Sequence, residues 1–220
     1  MSTTNSNNAA ALFQPFSVKS LTLKNKTVMA PMTRAFSPNN VPTKEVAAYY
    51  RRRAEGNVGL IITEGTFISH KAANGYENVP AIYGDDALAG WKHVVDEVHA
   101  VGGKIAPQLW HVGSVRKLGV GPDKDVPAYS PSGLFKPGAE NGVAMSQADI
   151  DEAQRLADEA EVLFVEVEPA APEEYSIDLA LDTPIRLPLA EPLVSILSSY
   201  ISIFLNAVLS PLIKVTSGVP

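Results

Sequence analysis

The spacing of apolar positions changes repeatedly along the first part of this chain. TVMAP (27–31) is a short apolar run ending at a proline, and it predicts a strand. TKEVAAYYRRRAEG (43–56) follows, with a cap-like Thr43, good helix formers and a stop at Gly56, so it predicts a helix. VGLIITEGTF (58–67) is nearly continuous in apolar residues, as expected of a parallel strand covered on both faces. In DDALAGWKHVVDEVHAVGG (85–103), Leu88, Trp91, Val94, Val95, Val98 and Val101 recur at spacings of three and four, with acids in the first turn and glycines after the last. KIAPQLW (104–110) is the next strand. A Pro/Gly-rich loop over 112–145 then leads to SQADIDEAQRLADEAE, where Ser146 and Asp149 have the spacing of a capping box. VLFVEVE (162–168) predicts a fourth strand.

Strand-helix-strand units in succession mean an α/β protein with a parallel sheet, either doubly wound or closed as a barrel. Both architectures gather ligands at the carboxyl ends of the strands. The residues at those ends are Pro31-Met32-Thr33, Glu64-Gly65-Thr66 and Gln108-Leu109-Trp110, which bring a hydroxyl, a bare backbone and a carboxamide to one mouth.

Composition narrows the classes. The chain has 220 residues, 45% of them hydrophobic, enough for one sizeable core. A net charge of −6 disfavours nucleic acid and acidic membrane surfaces as partners. The Arg51-Arg52-Arg53 run falls near a helix end and is read as a solvated face. There is no cysteine, which excludes disulfides and thiolate chemistry. The polar arm over 1–11 has no features of a secretory signal and is expected to be flexible, and the protein is expected to be cytoplasmic. Charge is uneven: residues 1–117 carry 13 Lys+Arg against 8 Asp+Glu, whereas 118–220 carry 5 against 16.

Other candidate motifs reduce to ordinary structure. His93 and His99 lie about 240° apart around a helix and cannot share a metal. Asn25-Lys26-Thr27 matches a glycosylation sequon by chance. GVGPDK (119–124) lacks the third glycine of a dinucleotide fingerprint. No metal site is expected.

Four segments, LFQPFSVKSLTLKNKTVMAPMTRA, VGLIITEGTFIS, NGYENVPAIY and KIAPQLWHVG, resemble in order and spacing the N-terminal part of the Old Yellow Enzyme family of FMN-dependent NAD(P)H:flavin oxidoreductases and ene-reductases. The likeness runs from about Leu12 to about Ile150. It implies a TIM (β/α)8 barrel, FMN as cofactor, NAD(P)H as reductant and a small activated alkene as substrate. It also implies site roles. Gln108 matches the carboxamide on the flavin pyrimidine edge, Thr33 the hydroxyl near flavin O4/N5, and Pro31 and Met32 the backbone lining the ring. Gly65 gives close backbone approach, and Trp110 and Tyr76 border the substrate. His111 is read as a structural partner.

The pattern then breaks. No histidine follows His111, so the family's substrate-gripping His-x-x-Asn or His-x-x-His pair has no match, and Tyr175 lies outside the proton-donor motif. The catalytic residues are therefore unassigned, and the family's later basic residue near flavin N1/O2 and its phosphate-binding loops after the last two strands have no match either. The expected organisation is an arm (1–11), an incomplete barrel with the FMN-binding region (12–168), and a divergent tail (169–220). That tail is acidic over 161–182, with seven acids and no base, and uncharged over 192–213. The uncharged stretch is long enough to span a bilayer, but its serines, Asn206 and Pro211 favour a buried or self-associating apolar helix or a tail with no settled fold. Such a break is what a truncated, alternatively spliced or frame-shifted relative would show. The reading left open beside the oxidoreductase is a non-catalytic partial barrel, self-associating as a homo-oligomer or attached to a membrane through 192–213.

Overall fold

The computed structural model describes residues 7–18 and 21–167, with side chains through residue 160. The divergent tail lies outside the described residues. The chain opens with the helical turn α1 (Asn7–Ala10), then an antiparallel pair, β1 (Phe16–Val18) and β2 (Leu21–Leu23), that matches Phe16 to Leu23. The barrel units follow: β3 (Val28–Met29), α2 (Lys44–Glu55), β4 (Leu60–Phe67), α3 (Asp85–His99) and β5 (Ile105–Trp110). Four short strands come next, β6 (Tyr129–Ser130), β7 (Leu134–Lys136), β8 (Ala139–Glu140) and β9 (Val143–Ala144), and then α4 (Gln147–Val167).

The sheet order is β3-β4-β5, all parallel, as the alternation of strand and helix patterns requires. Every residue of the central strand β4 is buried. Strands β4 and β5 run in step at Ile61/Ile105 and Ile62/Ala106, then resume at Gly65/Gln108. One extra residue is thus accommodated on β4, opposite Pro107. A proline has no N–H to give the ladder, and a bulge beside it is a common response. The Thr63 hydroxyl fills the gap by accepting the Gln108 N–H at 3.1 Å.

Both helices pack as their periodicity dictates. Thr43 caps α2 by accepting the Val46 N–H at 3.3 Å, and Val46, Ala47, Tyr50 and Ala54 are buried. Trp91, Val94, Val95 and Val98 of α3 are fully buried against them, and the Trp91 indole N–H donates to Ala81 O at 2.9 Å. The arginine run is more engaged than a solvated face. Arg51 pairs with Glu55 and with Glu97 of α3, both at 2.9 Å, and the Arg53 guanidinium lies 3.3 Å from the centre of the Tyr49 ring. Asn25 of the sequon is buried, and its amide donates to Asn57 O at 2.7 Å, so it is a packing residue.

One predicted element is overturned. The run 162–168, expected as a fourth strand, is not one: α4 continues through it to Val167. The capping box starts the helix, with Ser146 N–H donating to Asp149 at 2.8 Å and Asp149 N–H donating back to Ser146 Oγ. Pairs at helical spacing sustain it, including Gln154 with Asp158 and Arg155 with Glu152 and Glu159. No glycine or proline intervenes before Pro169, so nothing stops propagation, and a short apolar run by itself does not distinguish strand from helix. Among the described residues no helix is long and apolar enough to cross a membrane, and no group of three or more His, Asp or Glu is placed to hold a metal ion.

Candidate active site

β4 and β5 end in step, with Phe67 opposite Trp110, and the segment after β3 is tied to the same end through Glu64; the last residues of the two strands and that segment form the site. Gly65 and Gln108 are register partners, and Phe67 pairs with Trp110 two positions on. Gln108 is half-buried, its backbone N–H is held by Thr63, and its carboxamide has no partner among the described residues. A free donor and a free acceptor on one planar group suit the alternating edge of a flavin pyrimidine. The residues present thus fit FMN at this edge.

Gly65 is needed for closeness, but its neighbour is a side chain of this chain. A Cβ there would fall 2.2 Å from the Trp110 ring, so the indole lies directly against bare backbone. Tyr76 stacks on the indole, with ring centroids 5.6 Å apart and planes at 26°. The indole therefore touches both the Gly65 backbone and the Tyr76 ring. Tyr76 is aimed by Asn74, which is buried and accepts the Tyr76 N–H at 2.9 Å. The Trp110 indole N–H is buried and has no acceptor among the described residues.

Pro31, Met32 and Thr33 follow β3, with Pro31 half-buried and Met32 and Thr33 exposed. Their loop is tied to the middle strand by Glu64, a fully buried carboxylate whose Oε2 accepts the Arg34 N–H at 2.9 Å and the Ala35 N–H at 3.1 Å. Burial pushes the Glu64 carboxyl above its ordinary value, against the pull of those two N–H groups and of Arg34. Its own N–H donates to the buried Tyr50 hydroxyl at 2.8 Å, and the Thr63 and Thr66 hydroxyls both donate to its carbonyl.

His111 has a side-chain partner in His70, 2.8 Å away, and the pair fastens the segment after β4 to the segment after β5. Beneath them the buried Arg116 donates to Val126 O at 3.0 Å and to Asp123 O, closing the loop that GVGPDK begins. Glu64, Asn74 and His70 were not singled out from sequence. The signal for Glu64 was there, since an acid inside a buried apolar run must have partners.

A parallel sheet with helices between its strands, and a free carboxamide and an aromatic pair at its carboxyl ends, defines the class: an α/β fold whose ligand site lies at the strand ends. The sequence profile of the NADH:flavin oxidoreductase / NADH oxidase family matches residues 11–166, and the chain belongs to that family. Over 104 residues it is 44% identical to 12-oxophytodienoate reductase 7 of Oryza sativa subsp. japonica, covering 47% of this chain and 26% of the relative. It is 48% identical over 103 residues to a chanoclavine-I aldehyde reductase of Penicillium roqueforti, covering 46% of this chain and 28% of the relative. Morphinone reductase superposes with a TM-score of 0.65 at 38% identity, over 71% of this chain and 45% of that one. An Old Yellow Enzyme from Pichia sp. superposes with a TM-score of 0.65 at 32% identity, over 71% and 43%. The fold is thus a partial TIM barrel. The chain spans about a quarter of the length of the two curated relatives. FMN, with NAD(P)H as reductant, is the cofactor set of this family.

Proposed function

We propose that the chain carries the flavin-facing part of an FMN-dependent NAD(P)H oxidoreductase of the ene-reductase type, acting on small activated alkenes. The observation that carries this reading is the half-buried Gln108 carboxamide, free at the end of β5 beside Gly65 and Trp110. When bound, FMN supplies a hydride acceptor and donor at its N5. Gln108 holds the pyrimidine edge through one donor and one acceptor, and the backbone at Pro31 and Met32 lines the ring. The Thr33 hydroxyl would be the donor toward the O4/N5 edge, and a donor there would favour the reduced form. Trp110 and Tyr76 wall the substrate side and exclude water from it. A cytoplasmic location is part of this reading.

Purification tests it directly. A yellow protein, or a colourless one that takes up FMN with the absorbance change of a bound flavin, supports it; a chain that takes up no added FMN sinks it. Binding is expected to be weak, because the phosphate-holding loops of the resembled family have no counterpart in the sequence. A second reading, a non-catalytic partial barrel, is favoured by one observation: β5, six residues long, has no strand on its outer side among the described residues. A flavin-free chain that sediments as an oligomer would decide for it.

A further inference from the structure

We propose that Glu64 is the positioning residue for Thr33: its buried carboxylate imposes the turn that presents the Thr33 hydroxyl at the mouth of the sheet. The inference rests on the flavin reading for the purpose of that hydroxyl, and on geometry alone for the role of Glu64.

The turn is not one its own residues would choose. Ala35 has φ of 57°, in the left-handed region where a Cβ is unfavourable and where glycine or asparagine is the usual occupant. An alanine stays there only if its surroundings over-determine it. The Ala35 N–H and the preceding Arg34 N–H both donate to one oxygen, Glu64 Oε2, at 3.1 and 2.9 Å. Two N–H groups converging on one carboxylate oxygen fix the direction of the backbone immediately after Thr33. That oxygen is itself fixed, because Glu64 is fully buried and its backbone is clamped by Tyr50 and by the Thr63 and Thr66 hydroxyls. The bulge opposite Pro107 falls at this point of β4, between Ile62 and Gly65. The other side of the turn is braced by Arg34, whose guanidinium lies 3.4 Å from the centre of the Tyr49 ring. The second carboxylate oxygen, Oε1, is buried without a partner among the described residues. A buried carboxyl so incompletely satisfied is costly, and such a cost is tolerated where the group has a positional task.

The test uses the full chain and two near-isosteric variants. Glu64→Gln keeps an oxygen able to accept both N–H groups, whereas Glu64→Met fills the same space and accepts nothing. Hydrogen exchange at the Arg34 and Ala35 amides, read by NMR without flavin, is expected to speed up about tenfold or more in Glu64→Met and to stay within about twofold of the parent in Glu64→Gln. The Thr33 methyl resonance is expected to move in Glu64→Met only. Adding Ala35→Gly to Glu64→Met relieves the left-handed residue and is expected to recover part of the lost melting temperature without restoring protection of the two amides. With FMN, Glu64→Met is expected to weaken binding several-fold when Thr33 is present and to have little further effect in a Thr33→Ala background. Unchanged exchange and an unmoved Thr33 methyl in Glu64→Met would overturn the proposal, as would an equal loss of FMN affinity in both backgrounds. A chain that takes up no FMN counts against the flavin reading, and the exchange experiment then decides the role of Glu64 by itself.

Discussion

His111 Nε2 and His70 Nδ1 are 2.8 Å apart, and the neighbouring backbone sets which of them donates. Gly113 N–H donates to His111 Nδ1 at 3.1 Å, so the His111 proton is on Nε2 and points at His70. Ala72 N–H donates to His70 Nδ1 at 3.2 Å, so that atom is an acceptor twice over. Both rings are neutral in this arrangement, and a proton added to either acceptor nitrogen breaks it.

The pair makes stability fall in acid. Burial, then His70 and Arg116, draw His111 down to about 3, and burial with Lys71 lowers His70. Unfolded, both return to about 6.5 and bind protons that the folded chain does not. Their contribution is therefore complete above about pH 6.5 and is lost as pH falls toward 3, by a few kcal/mol in order of magnitude. Glu64, raised by burial, works in the opposite sense and partly offsets it. Thermal melts between pH 7.5 and 4.5 should show the decline, and His70→Leu should flatten it.

Gly65→Ala should dislodge the indole. With a Cβ 2.2 Å from the Trp110 ring, the side chain has to move, at a cost of about 1–3 kcal/mol. A changed Trp110 emission spectrum, with a lower melting temperature, would report it. Gly65→Ala in a Trp110→Leu background should cost less.

Tyr50→Phe should destabilise the sheet by about 1–3 kcal/mol, because the buried Glu64 N–H loses its acceptor. Urea melts should show a lower midpoint with an unchanged slope.

Arg51→Ala is expected to matter little. Both of its carboxylate partners are about as exposed as Arg51 itself, and exposed pairs contribute about 0–1 kcal/mol. Its effect should shrink further in high salt.

Periodicity by itself determined the strands through 27–31, 58–67 and 104–110, the helices between them and the faces they bury, because these depend on residues close in sequence. Parallel strands bring their carboxyl ends to the same side, which put Gly65 and Gln108 together, and the family resemblance implied that Trp110 and Tyr76 border the same site. The extent of α4 was not legible at 162–167, where a run without a breaker suits either state and the preceding turns of helix decide it. The His70–His111 pair, the Asn74 brace on Tyr76 and the Glu64 clamp on the Thr33 turn join residues about 30 or 40 positions apart or lie in irregular loops, where no period exists to read. The His70–His111 pair arises only once β4 and β5 are side by side, and the Glu64 clamp only once the segment after β3 has come to lie against β4.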